Sequence, residues 1–89
     1  MENSLTEEIT AFLLAYVRSV MAEQNRAEVE VSPESDLLAA GVLDSFGVIE
    51  MISALERKFA LQVRFDEIEV EDLTRISALA RHAASARAD

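Results

Sequence analysis

Gly41-Val42-Leu43-Asp44-Ser45-Phe46-Gly47 separates two stretches of opposite character. Upstream, between Asn25 and Leu43, neither helical nor strand periodicity holds; Pro33 drives Ser32 toward an extended backbone and Gly41 marks a turn. Downstream, Val48, Met51, Ile52, Leu55 and Phe59 recur at three- and four-residue steps. That spacing is the apolar stripe of an amphipathic helix, with Glu50, Glu56 and Arg57 lying off it. The boundary falls at Asp44-Ser45, and Asp44 is a good N-cap because its carboxylate accepts from amides that the first helical turn leaves without partners. Gly47 is out of place, since glycine inside a helix costs about 1 kcal/mol relative to alanine. Something therefore approaches the backbone there, either the preceding loop or a group from outside.

Working outward, Leu5, Ile9, Phe12, Leu13, Tyr16, Val17, Val20 and Met21 form the stripe of a first helix. Ser4 or Asn3 can cap it with Glu7 as capping-box partner, and Asn25 is a stop just after Gln24. The connection over residues 25–43 is long for a compact domain, and such loops carry function or hidden short structure. Leu37, Leu38, Val42 and Leu43 are apolar enough to pin it to the core, with one helical turn expected over residues 35–39. A short third helix is expected over residues 66–69, with Phe65 and Ile68 facing inward. A last helix should span residues 75–86, capped by Thr74, with Ile76, Leu79, Ala80 and Ala83 on its inner face. The expectation is an all-α fold: a small antiparallel four-helix bundle with a long first loop, built as one domain over residues 1–89.

Composition narrows the function. Eighty-nine residues, 51% of them apolar, with two glycines and one proline, argue for folded helical structure and leave little room for an enclosed active site. A net charge of −9, loaded on the first three helices and their loops, repels phosphate backbones and anionic lipid, so no nucleic-acid or membrane partner is expected. The absence of cysteine excludes disulfides, thiol catalysis and thiolate metal sites. Residues 11–17 (AFLLAYV) follow acidic residues and end at Arg18, which suits neither a signal peptide nor a membrane span. A cytoplasmic location follows from this reading. Seven arginines to one lysine, with abundant alanine, match the usage of a GC-rich bacterial genome.

An Asp-Ser-hydrophobic triplet after a long loop, followed by Glu50, Leu55, Glu56 and Phe59 in a short acidic chain, resembles the acyl carrier protein family, which includes peptidyl and D-alanyl carriers. The resemblance extends from Leu5 to about Ala83. It implies that the Ser45 hydroxyl is the attachment point for 4′-phosphopantetheine donated by coenzyme A, with Asp44, Phe46 and Gly47 beside it. It also implies a protein that catalyses nothing and carries biosynthetic intermediates as thioesters between enzymes. The partners implied are a phosphopantetheinyl transferase, an adenylate-forming acyl or aminoacyl ligase, and acyltransferases or synthases with basic patches. These would dock on Phe46, Ile49, Glu50 and Glu56. Glycine two residues after the serine looks more like the D-alanyl and other stand-alone carriers than the fatty-acid carriers. Because Met1 stands just before the first helix, the carrier is expected to be discrete, and because each partner must grip one face, monomeric. Fatty-acid, polyketide, nonribosomal-peptide and D-alanylation pathways all use this architecture. The helix start itself suits a phosphodiester, because unpaired amides and the helix dipole favour negative charge there.

Plainer readings stand beside these. Ser45 reads equally as a cap, Phe46 as a lid on the core, and Glu50 and Glu56 as a solvated face. His82, the one histidine, is read as a surface residue of the last helix, and no G-x-S-x-G elbow accompanies Ser45 to suggest a hydrolase. No metal site is expected: one histidine without cysteine lacks ligand spacing, and Asp66, Glu67, Glu69, Glu71 and Asp72 lack the pattern of a calcium loop. An unmodified acidic helical interaction module is the alternative class. Such a module would keep its binding when Ser45 is replaced by alanine.

Overall fold

The apolar stripes pack as α1 (Ser4–Glu23), α2 (Ser45–Phe59), α3 (Val70–Leu73) and α4 (Ile76–Arg87), with a 3-10 turn at Phe65–Glu67. The computed structural model describes residues 4–26 and 30–87. Its architecture is all-α, a small bundle without strands among the described residues. Every fourth residue of α1 from Ile9 to Met21, namely Ile9, Leu13, Val17 and Met21, is buried. This helix packs on both α4 and α2, and α3 rests on α4. Ala80 and Ala83 lie buried beside Ile76 and Leu79, and small side chains of this kind let helix axes approach closely. Val48, Met51, Ile52 and Leu55 complete the core from α2. Among the described residues, no helix is long and apolar enough to cross a membrane.

Helix ends follow local chemistry. Asn25 adopts the left-handed conformation at φ 59°, and the Arg26 amide donates to the Met21 carbonyl at 2.8 Å, closing α1 where the sequence predicts. Ser4 lies within α1, and the alternative cap Asn3 lies outside the described residues. Ala60 ends α2 at φ 53° and ψ 51° and donates its amide to the Glu56 carbonyl. It does so without the glycine that usually takes this geometry.

The long loop is stapled to the junction of α3 and α4. Leu37 donates its amide to the Thr74 carbonyl at 2.9 Å, and Ser77 donates to the Pro33 carbonyl at 2.8 Å. Arg75 lies 3.9 Å from the Asp36 carboxylate. The helical turn expected over residues 35–39 is instead a run of turns over residues 37–41. Asp36 sets this start by capping the turn: its carboxylate accepts from the Leu38 and Ala39 amides, both at 3.1 Å, and its carbonyl accepts from the Ala40 amide at 2.9 Å. Leu37, Val42 and Leu43 are buried as expected, whereas Leu38 turns outward, 41% exposed.

The region after α2 also departs from expectation. Phe65 is 55% exposed rather than inward, and the segment expected over residues 66–69 forms only the 3-10 turn Phe65–Glu67, with the third α-helix following at Val70–Leu73. Two side chains set the path here. Glu56 accepts from the Val63 amide at 2.9 Å, and His82 Nε2 accepts from the Arg64 amide at 3.1 Å. With the backbone clipped at 63 and 64, the inward position falls to Val63, and Ile68 and Leu73 pack partly buried against the core. Thr74 is buried, but it closes α3 and does not cap α4: its hydroxyl donates to the Glu71 carbonyl at 3.2 Å.

Candidate functional site

Ser45 is the first residue of α2, and it is exposed. Asp44 precedes it with an extended backbone, and its carboxylate accepts from the Gly47 amide at 2.7 Å, the cap expected from the sequence. Buried Val42 and Leu43 anchor the approach to the helix, so the serine sits on a rigid shoulder. A Cβ on Gly47 would lie 3.2 Å from Asp44 Oδ1 and 3.3 Å from Leu43 Cδ2. The close approach that glycine permits is therefore that of the preceding loop.

Phe46 is 68% exposed, so it is no lid on the core, and Ile49, four residues beyond Ser45 on the same face, is 59% exposed. Glu50 is exposed nearby. Glu56 is placed differently. It is half-buried, and the carboxylate that ties it to the Val63 amide serves the turn after α2. Phe46, Ile49 and Glu50 are thus brought together around Ser45, and Glu56 stands near the far end of the helix.

A cleft of about 320 Å³ opens beside Ser45, between the end of α1 and the start of α2. Tyr16, Val20, Gln24 and Arg26 form one wall; Gly41 to Asp44, Phe46, Gly47 and Glu50 form the other. Arg26 donates from Nη1 to the Gly41 carbonyl at 3.0 Å, which fixes its guanidinium at the turn preceding the serine. Burial raises the Tyr16 hydroxyl above its ordinary pKa, and the Glu50 carboxylate adds to the effect. A shallower groove continues along α2 past Ile49, Ser53 and Arg57, sharing Tyr16, Phe46 and Glu50 with the cleft. Tyr16 reads in sequence only as part of the α1 stripe, and Arg26 carries no local signal. Their convergence on the loop leading into α2 depends on the fold of that loop.

Among the described residues, no histidine accompanies Ser45 as a base. His82 bonds Arg64, beyond the opposite end of α2, and fifteen helical residues put roughly 20 Å between those ends. The Asp44 carboxylate is engaged by the cap. Among the described residues, no group of three or more His, Asp or Glu is arranged to hold a metal ion.

Comparison with known proteins bears on the chemistry of this site. The family described as the phosphopantetheine attachment site matches residues 15–83, more than half of the chain. A D-alanyl carrier protein of Streptococcus suis is 38% identical over 56 residues, covering 63% of this chain and 71% of that protein. One from Bacillus velezensis is 32% identical over 57 residues, covering 63% and 73%. An acyl carrier protein of Helicobacter pylori is 37% identical over 54 residues, covering 60% and 69%. No solved structure matches the chain at comparable significance.

Proposed function

The chain belongs to the phosphopantetheine-attachment family of carrier proteins and has 4′-phosphopantetheine as its covalent cofactor, and from this premise we propose that Ser45 is the attachment residue of a single acyl or aminoacyl carrier domain. The observation that carries the assignment is an exposed serine hydroxyl on the first residue of a capped helix, inside the matched residues. In the loading step the Ser45 oxygen bonds to the pantetheine-side phosphorus of coenzyme A. The pyrophosphate linkage breaks, adenosine 3′,5′-bisphosphate leaves, and the serine proton passes to a base on the transferase. The arm supplies a thiol on which cargo rides as a thioester. The chain's own residues hold and present it: Asp44 fixes the first turn of α2, and Leu43 seats the loop against Gly47.

The carrier acts as a substrate of its partners and not as an enzyme. Phe46 and Ile49 offer an apolar contact, and Glu50 offers charge to a basic patch, which speeds encounter and sets register. The partners are a phosphopantetheinyl transferase, an adenylate-forming ligase that loads the cargo, and the acyltransferases or synthases that receive it. The D-alanyl carriers among the relatives support a small acyl or aminoacyl cargo; the same reading makes the carrier a monomer in a bacterial cytoplasm. Intact mass after incubation with coenzyme A and a broad-specificity transferase tests the assignment. A gain of one phosphopantetheinyl group is expected, and it should vanish in Ser45→Ala. A folded sample that gains nothing overturns the assignment and leaves an unmodified acidic interaction module.

A further inference from the structure

We propose that His82 is a pH-sensitive latch on the segment leading from α2 to α3, holding that segment when the imidazole is neutral and releasing it when the imidazole takes a proton. The inference stands on the chain after α2 and does not depend on what Ser45 carries.

The latch is a single bond. His82 Nε2, on α4, accepts from the Arg64 amide at 3.1 Å across 18 residues of chain. An imidazole accepts only through a ring nitrogen that bears no proton, so in this arrangement the ring is neutral and its hydrogen sits on Nδ1. Arg64 in turn starts the 3-10 turn Phe65–Glu67. Its carbonyl accepts from the Glu67 amide at 2.9 Å, and its guanidinium lies 3.7 Å from the Glu67 carboxylate. The turn hangs from Arg64, and His82 fastens Arg64 to α4.

Protonation reverses the role of the ring. With hydrogen on both nitrogens, His82 has no acceptor left for the Arg64 amide, and two N–H groups face each other. The surroundings offer the imidazolium another partner. His82, Arg64, Glu67, Ser85 and Ala86 line one pocket of about 230 Å³, to which neither α1 nor α2 contributes a lining residue. The charged side chains facing His82 there are Arg64, which repels an imidazolium, and Glu67, which attracts one. A proton on His82 thus pushes Arg64 away and draws Glu67 in, exchanging an amide–imidazole bond for an ion pair. Imidazole is the side chain whose ordinary titration falls between about pH 5 and 8, so the clip is present at the upper end of that range and lost as pH falls through it.

The neighbouring clip does not follow. The Val63 amide is bonded to the Glu56 carboxylate at 2.9 Å, and Val63 is buried. A carboxylate keeps its acceptor oxygens through the range in which imidazole is protonated. Release is therefore confined to the chain beyond Val63, which pivots there while the core under α2 stays closed. Exposed Phe65 rides on the released segment, and exposed Val70 opens the helix after it.

An NMR titration of the protein from about pH 8 to about pH 5 tests the latch. The His82 ring carbon shifts report protonation, and exchange of backbone amides with solvent, corrected for its intrinsic pH dependence, reports each clip. The Arg64 amide should exchange about tenfold more readily once the ring is protonated, the weight of one hydrogen bond, while the Val63 amide stays as it was. The Glu67 carboxylate carbon shift should move in step with the His82 ring. In His82→Gln, whose side chain keeps an acceptor that does not titrate, the step at Arg64 should disappear. The wild-type titration decides the matter if that variant does not fold. Arg64 exchange that stays level while the ring takes its proton, an equal loss of protection at Val63, or a ring that stays neutral throughout overturns the latch.

Discussion

Replacing Glu56 by alanine removes the acceptor that holds the Val63 amide at 2.9 Å. A hydrogen bond to a charged partner contributes about 1.5–3 kcal/mol, and Glu56 is half-buried, so the lower part of that range applies. Val63 is itself buried, and loosening its backbone exposes part of an apolar side chain as well. Glu56→Ala should therefore cost about 1.5–2 kcal/mol, which lowers Tm by roughly 6–16 °C in a domain of this size. Glu56→Gln keeps an oxygen acceptor and should cost about half as much. Urea melts of the three proteins give the free energies, and transferase kcat/KM measured well below every midpoint separates stability from docking. A stability change below about 0.3 kcal/mol in the alanine variant, with a severalfold loss of kcat/KM, would refute this reasoning. Glu56 would then belong to the docking face with Glu50.

Two further predictions concern the same framework. Ala60→Gly should stabilise the protein by about 0.5–1 kcal/mol, because glycine adopts the left-handed conformation without the Cβ penalty; a loss in the denaturant midpoint contradicts this. The Asp36 carboxyl is held below its ordinary pKa, first by the Ala39 amide, with the Leu38 amide and the Arg75 guanidinium adding to the effect. A depressed folded-state pKa stabilises the fold above the unfolded value near 3.8, and the contribution is lost as pH falls through the folded-state value. Asp36→Asn should accordingly flatten the loss of stability below about pH 4; melts with the same pH slope as the parent protein count against the loop staple.

Much of the framework is legible one segment at a time. Ile9, Leu13, Val17 and Met21 declare a helix by spacing alone, and Asn25 declares its end. Asp44 reads as a cap because capping acts over three residues, and the 2.7 Å bond to Gly47 is that interaction. The third helix and Phe65 were less legible. Their placement depends on Glu56 and His82 reaching across 7 and 18 residues to clip the amides of Val63 and Arg64. Nothing in the local pattern of residues 60–69 encodes those bonds, and an aromatic three residues before an isoleucine reads as inward-facing by hydropathy. Leu38 misleads for a local reason: Asp36 captures the amides two and three residues on and sets the turn that carries Leu38 outward.

Sequence alone determined the helix stripes, the cap at Asp44, the exposed serine behind it and the acidic surface, because periodicity, capping and charge act over short separations. Tertiary structure decided that Glu56 serves a turn, that Gly47 makes room for Leu43, and that Tyr16 and Arg26 meet beside Ser45. Those outcomes require α1 and the loop to be folded against α2. The pairing of residues far apart in the chain is set by packing of the whole core, which no single segment contains.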